Sequence, residues 1–525
     1  MTTTEQTATF PVTFDDPADA QQCWRFSAEH MPNAVSPLEF ELGTKGFLEG
    51  FGWGMVPRQF NYFIFFALGG PAASPPPSPP TTESVREGAR RWREEVLPEV
   101  LGHIERYRTA NFGAMDNAQL ATEIERLAEL RFRSGQLHTL AIRPHWEGMS
   151  LLIETYKELT GGDDLAAMRL VQGYPTKSFE SGERLWQVGR IAAGIPLVRE
   201  RLLAMESGTA LDALAALRSD TAAAPFVEAF DAYLEEFGWR SNAGFGTPTW
   251  AEQPAVPLML LRSYLQTDGY DPNEEQRRLV GERAAAVRDT MASLDEPGRA
   301  RLADALDAAV AVSPQLEDHN FFIDQRLATM PRRLVLAAAD RLGFAKPNDV
   351  FFLRSAELCA ALAGESGGLA ALAGQRKAEF ARWRTVPPPP YVGAPPPEGA
   401  PEQERPARGE RDGDPSTGSG QRLRGTGVSA GVARGPARII AGLNEADRLR
   451  PGDLLVTPVT QPAWTPLFAV ARAVVTEVGG MLSHTAVAAR EFGIPAVVNV
   501  PHATRLLKDG QLIEVDGSTG EVRLL

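Results

Sequence analysis

The chain has 525 residues, 43% hydrophobic and 23% charged, enough to bury the cores of about three or four domains without covalent staples. Its two cysteines, Cys23 and Cys359, exclude a disulfide framework and a Cys-rich metal site. Lys and Arg total 53 against 67 Asp and Glu, and the net charge of −14 excludes general affinity for nucleic acid, which needs a basic face.

Residues 1–22 lack the basic and apolar regions of a signal peptide. The most apolar run, Phe60 to Leu68, is shorter than the roughly 20 residues that cross a bilayer. The expectation is a cytoplasmic protein without membrane contact. Phe47, Phe51, Trp53, Phe60, Tyr62, Phe63, Phe65 and Phe66 read as core, with an apolar acceptor pocket as the alternative. A Pro-rich insert covers residues 71–82. Apolar residues at three- and four-residue spacing then predict helices over Arg90–Tyr107, Leu120–Arg143, Glu274–Leu294, Phe322–Leu342 and Ser355–Arg384. Asp116 and Ser355 are the candidate caps. Residues 1–386 are therefore expected to form one mainly helical domain. Strand and helix do not alternate eight times, which argues against a (β/α)₈ barrel.

Residues 387–424 are rich in Pro, Gly, Glu, Arg and Ser and predict a linker. After Gly425 the pattern changes to short β-branched runs, Ala437–Ile440, Leu454–Thr457, Ala473–Thr476, Ala496–Val500 and Leu512–Val515. Helical pieces lie between them at Leu467–Arg472 and Thr485–Phe492. Residues 425–525 thus predict a separate α/β domain. It holds nine basic and nine acidic residues, so the whole negative excess lies in residues 1–424.

Chemistry concentrates at the end of the Ala473–Thr476 run. Gly479-Gly480 makes a turn without side chains, and Ser483-His484-Thr485 opens a helix stopped by Gly493 and Pro495. Backbone N–H groups at a helix start attract anions, and Gly lets the backbone approach a phosphate. An imidazole placed there can attack phosphorus. A simple helix-capping turn is the alternative on spacing alone.

The stretch from Gly479 to Val500 closely resembles the phosphohistidine signature of the phosphoenolpyruvate-utilising family. Residues 425–525 resemble that family's swivelling β/β/α domain. The resemblance makes His484 the phosphorylated residue, with Gly479, Gly480, Ser483, Thr485 and Arg490 supporting the phosphate. Leu482 stands where the family usually has Thr. The helical region resembles the antibiotic-binding domain of the rifampicin phosphotransferases. Four pieces carry this: Met31 to Leu38; Gly173-Tyr174-Pro175 with Glu183 to Trp186; Phe237 to Arg240 with Pro248-Thr249-Trp250; and Asp349 to Leu353 with Glu357-Leu358. Trp239 replaces a usual His. The fold expected is multidomain α+β, a large helical substrate domain plus the swivelling domain.

The chain ends just after the swivelling domain and begins without a Gly-rich phosphate loop. The expectation is that no pyruvate barrel follows and that Mg-ATP binds a separate ATP-grasp partner, an arrangement resembling phenylphosphate synthase. His484 would carry a phosphoryl group from that partner to a small organic hydroxyl acceptor. The alternatives are a regulatory protein that binds a small molecule, with His484 phosphorylated as a signal, or an enzyme I-like phosphocarrier fragment. His138, His145, Arg240, His319, Asp324 and Arg326 are candidate acceptor-site residues. His138 and His145 lie seven apart and share a helical face if the helix survives Pro144; either could be the general base. Asp318 or Asn320 would cap the helix after His319. No HExxH-like spacing occurs, so no protein-bound metal is expected.

Overall fold

The computed structural model describes residues 10–26, 31–68, 79–241, 244–267, 269, 271–365, 367–397 and 422–525. It is multidomain α+β. The first region is mainly helical. Its centre is α1 (Asn117–Thr160), 44 residues long, opened by a reciprocal capping box between Asp116 and Gln119 and closed by Gly161 in the left-handed region. The helix runs through Pro144, whose ring is accommodated by the bare backbone of Gly88. A Cβ on Gly88 would stand 2.3 Å from the Pro144 ring. Against α1 pack the helices Thr82–Arg91, Glu296–Val312 and Arg332–Arg341.

The aromatic run is partly strand. β1 (Cys23–Phe26), β2 (Pro57–Phe60), β3 (Phe63–Ala67) and β4 (Tyr391–Gly393) make an antiparallel sheet in the order β2-β3-β1-β4. Asn61 and Tyr62 both take positive φ, the backbone that a two-residue hairpin turn requires. Phe60, Phe63 and Phe65 are buried with Phe10, Trp24 and Phe26, as the core reading expects.

Residues 422–525 form an eight-stranded mixed sheet from β5 (Arg422–Arg424), β6 (Thr426–Ser429), β7 (Val432–Ile439), β8 (Leu454–Thr457), β9 (Ala473–Thr476), β10 (Ala496–Val498), β11 (Leu512–Asp516) and β12 (Glu521–Leu524). The order is β5-β12-β11-β7-β8-β9-β10-β6, and β7 to β10 are parallel neighbours. β8 and β9 are buried at every position, which explains why they read as unbroken apolar runs.

The two regions share a core. Leu185, Phe230, Leu261 and Phe321 of the helical part join Trp464, Phe468 and Phe492 of the C-terminal part in one apolar cluster. Each such side chain, fully buried, contributes about 1.5–3 kcal/mol.

Several expectations change. Three strands within residues 1–386, joined in one sheet by a fourth from the expected linker, depart from the mainly helical expectation. The linker loses both ends: Tyr391–Gly393 pairs with β1, and Arg422–Arg424 pairs with β12. Residues 398–421 and most of the 71–82 insert lie outside the described residues. The stretch 322–342 is interrupted around Thr329–Pro331, and 355–384 around Gly364–Gly368. Ser355 is not a cap; its N–H and hydroxyl both donate to Glu41. Asp318 does not cap its own helix but accepts from the N–H of Lys177, at the start of another.

Candidate phosphohistidine site

Ligands of parallel sheets gather at the carboxyl ends of the strands. The Gly479-Gly480 turn follows β9 at that end. Gly479 sits at φ +139, a conformation that side chains disfavour, and none of the described residues lies within 4 Å of where a Cβ on Gly480 would be. Ser483 caps α4 (His484–Glu491), accepting from the N–H of Ala486, so His484 is its first residue.

His484 points into the helical region. Its Nδ1 donates to Glu317 Oε1 at 3.2 Å. Its Nε2 lies 3.4 Å from the Thr465 hydroxyl, and Phe468 stands edge-on at 6.3 Å. The imidazole is 11% exposed and Glu317 only 1%. Glu317 comes from α3 (Gln315–His319). It also accepts from the Ser178 hydroxyl, on α2 (Lys177–Gly194), and from Asn320. Burial opposes charge on Glu317, but the His484 ring and the hydrogen bonds from it and Ser178 hold its carboxyl below the usual range. A carboxylate on Nδ1 fixes the tautomer and leaves Nε2 the lone pair, which accepts from the Thr465 hydroxyl and reaches an electrophile only when that weak bond opens.

Other supports behave differently. The Thr485 hydroxyl is buried against Thr460 at 2.8 Å. Arg490 is buried, and its guanidinium donates to the carbonyls of Val428 and Met481. It thus braces the loop before His484 from behind. Burial pushes it down to about 10. Glu491 accepts from the Thr176 hydroxyl across the boundary between the regions. Burial, with Glu317 and Asp318 nearby, pushes its carboxyl well above the usual range. Burial also pushes Asp318 up to about 6.

The candidate acceptor residues separate into three places. His145 is buried on α1; its Nδ1 donates to the carbonyl of Val312 at 3.0 Å, and its Nε2 has no partner among the described residues. Burial pushes it down to about 4, and Glu317 and Arg490 are close enough to act on it. Arg240 is also buried, donates to Ser181 at 2.6 Å, and lies over the rings of Trp250, Phe321 and Phe237. Its charge reaches Glu317. These two stand around the phosphohistidine site. His138, His319 and Asp324 form a second cluster of their own, with His138 Nδ1 3.1 Å from Asp324 Oδ1. Arg326 belongs to neither and lies among the charges of Glu236, Arg108 and Glu105. So α1 does survive Pro144, but His138 and His145 have different partners. Sequence reasoning missed Glu317, Ser178, Thr465 and Glu491. The run Glu317 to Asn320 is visibly polar; its meeting with His484, 167 positions on, leaves no local trace.

Comparison with known proteins places these residues in a family. Residues 449–520 match the PEP-utilising enzyme mobile domain. The chain carries that mobile domain. Residues 138–314 match the fourth domain of rifampicin phosphotransferase. Rifampicin phosphotransferase of Streptomyces sviceus is 30% identical over 75% of this chain and 45% of that protein. The uncharacterised phosphotransferase YvkC of Bacillus subtilis is 31% identical over 57% of this chain and 36% of its own length. Chondramide synthase of Chondromyces crocatus is 31% identical over 98% of this chain but 14% of its own. The chain thus spans 14–45% of the length of these relatives. The mobile-domain match contains the whole Gly479–Glu491 segment, and the fourth-domain match contains His138, His145, Ser178 and Arg240. Among the described residues no helix is long and apolar enough to cross a membrane.

Proposed function

We propose that this chain is the phosphohistidine-bearing part of an ATP-dependent, dikinase-like phosphotransferase. His484 takes a phosphoryl group at a nucleotide site on an ATP-grasp partner and passes it to a small organic hydroxyl compound in the helical region. The observation that carries this reading is the buried His484–Glu317 pair. It holds the imidazole at a helix start with the Nε2 lone pair beside the Thr465 hydroxyl, facing a wall built by another region.

In the transfer step the acceptor oxygen attacks phosphorus, the P–Nε2 bond breaks, and its electron pair returns to the imidazole. The hydroxyl proton passes to a base. His145 is the candidate, because its Nε2 is neutral, buried and without a partner among the described residues. Glu317 keeps Nδ1 protonated throughout and acts as a positioning residue. The negative excess of the helical region suits a neutral acceptor and repels its phosphorylated product.

The test is labelling by ATP in the presence of the ATP-grasp partner. The bound phosphate should be acid-labile and alkali-stable and should leave on addition of acceptor. Label that survives acid, or that persists in His484→Ala, overturns the reading.

A further inference from the structure

The second cluster has its own geometry. His138 comes from the middle of α1, His319 from the last turn of α3, and Asp324 from the helix Asn320–Leu327. That last helix closes i→i+5 hydrogen bonds. At 3.6 residues per turn, residues five apart would point about 140° away from each other. The wider i→i+5 turn brings His319 and Asp324 onto one face.

One ligand atom from each of the three residues lies within 4.8 Å of the others. His138 Nδ1 is 3.1 Å from Asp324 Oδ1, and His319 Nε2 is 3.7 Å from Asp324 Oδ2. Ligand atoms on one tetrahedral zinc ion, with bonds of about 2.0–2.1 Å, stand about 3.3 Å apart. His319 is 1% exposed, its Nε2 has no hydrogen-bond partner among the described residues, and its Nδ1 is tied to the carbonyl of Gln315 at 2.8 Å. An outer hydrogen bond of that kind orients a ring toward a metal and directs the Nε2 lone pair inward. The side chains of His138 and Asp324 are 13% and 23% exposed, which leaves one side of the cluster open. Phe51 stacks on His138 at 4.7 Å, Trp53 follows Phe51 at 5.0 Å, and Trp146 follows Trp53 at 5.7 Å.

We infer that His138, His319 and Asp324 bind a divalent transition-metal ion of the zinc or cobalt class, with an open position beside the Phe51–Trp53–Trp146 wall. Two neutral imidazoles and one carboxylate are the donors that such ions take in preference to Mg²⁺. The open position would take an oxygen donor, water or the hydroxyl of a ligand whose apolar body rests on the aromatic wall. The inference does not rest on phosphotransfer, since metal binding and His484 labelling are separate measurements.

The test uses the tag-free full chain, stripped by chelator and titrated with Co²⁺ by calorimetry and visible absorption. One equivalent should bind with the intense band of low-coordinate Co²⁺, and Zn²⁺ should displace it. His319→Ala, His138→Ala and the isosteric Asp324→Asn should each weaken binding by about 10–100-fold or more. His103→Gln, on the helix Leu97–Thr109 and paired with Glu99, should bind as wild type. Circular dichroism establishes that each variant is folded. Absence of stoichiometric binding in the wild-type chain, or equal binding by a folded Asp324→Asn variant, overturns the inference.

Discussion

The last hundred residues and the helical region contribute to the same chemistry in opposite ways. In residues 425–525 the decisive groups are neighbours in sequence: a Gly pair, a capping Ser and a His within six positions, on a turn between β9 and α4. In the helical region Ser178, Arg240 and Glu317 come from elements up to 139 positions apart and meet only through packing. A loop can be read from its own residues, because φ > 0, a cap and a nucleophile are local requirements. A wall built by several helices is a property of their packing.

The largest effect should come from His484→Ala, with complete loss of acid-labile label and a thermal midpoint near the wild-type value. Residual label at full stoichiometry would move the intermediate to another residue and erase the contrast. Glu317→Gln comes next. It keeps the shape of the side chain but no longer holds Nδ1–H with a carboxylate. Discharge of pre-phosphorylated protein to acceptor should fall about 10²–10⁴-fold. Its pH profile should shift as well, which a purely structural role would not cause. Wild-type discharge by this variant would leave the helical region as scaffold only.

Much of the C-terminal sheet was legible. β8 and β9 match the expected runs residue for residue, because buried parallel strands are continuous in apolar character. β5, β6 and β12 escaped: they are short, and their burial alternates or is slight. In the helical region α1 was visible from its cap and periodicity, but the extent of the helix across Pro144 was set by Gly88, 56 positions away. The polarity of the Glu317–Asn320 run is visible in the sequence; the groups it meets, Ser178 and His484, are not. His319 and Asp324 stand together among the candidate acceptor residues, but the i→i+5 helix that aligns them follows no 3.6-residue pattern.

The boundary between the regions also sets a pH dependence. Burial pushes the Asp318 carboxyl up to about 6 in the fold, from an ordinary value of 3.8. As pH rises, the unfolded chain therefore releases this proton first. The stability contributed by Asp318 is complete below about 4 and is lost as pH rises to 6. Glu491 has the same sign. His145 and His319, depressed from 6.5 to about 4, act oppositely: their contribution is present above 6.5 and is lost as pH falls toward 4. Asp318→Asn removes only the first effect. Relative to wild type it should gain about 3 kcal/mol between pH 4 and pH 7, read from denaturant midpoints. An unchanged difference across that range would mean that Asp318 titrates normally and that the carboxylates at the boundary do not oppose one another.

The smallest effects separate the two glycines of the turn. At Gly479 an added Cβ would stand 3.1 Å from the Ser483 hydroxyl and 3.2 Å from Val498, on backbone at φ +139. Gly479→Ala should therefore cost about 1–3 kcal/mol of stability, because that conformation penalises a side chain and the neighbours are the helix cap and the sheet. At Gly480 none of the described residues lies within 4 Å, so an alanine there meets open space among them. Its stability should stay within about 0.5 kcal/mol of wild type. The space it fills, though, is on the turn before His484, where a phosphoryl group would need backbone access. Gly480→Ala should slow phosphorylation of His484 while leaving the thermal midpoint in place, and Gly479→Ala should lower the midpoint. If Gly480→Ala labels at the wild-type rate, the Gly pair serves only to make the turn, and the anion is held by the N-terminus of α4 and the facing wall instead.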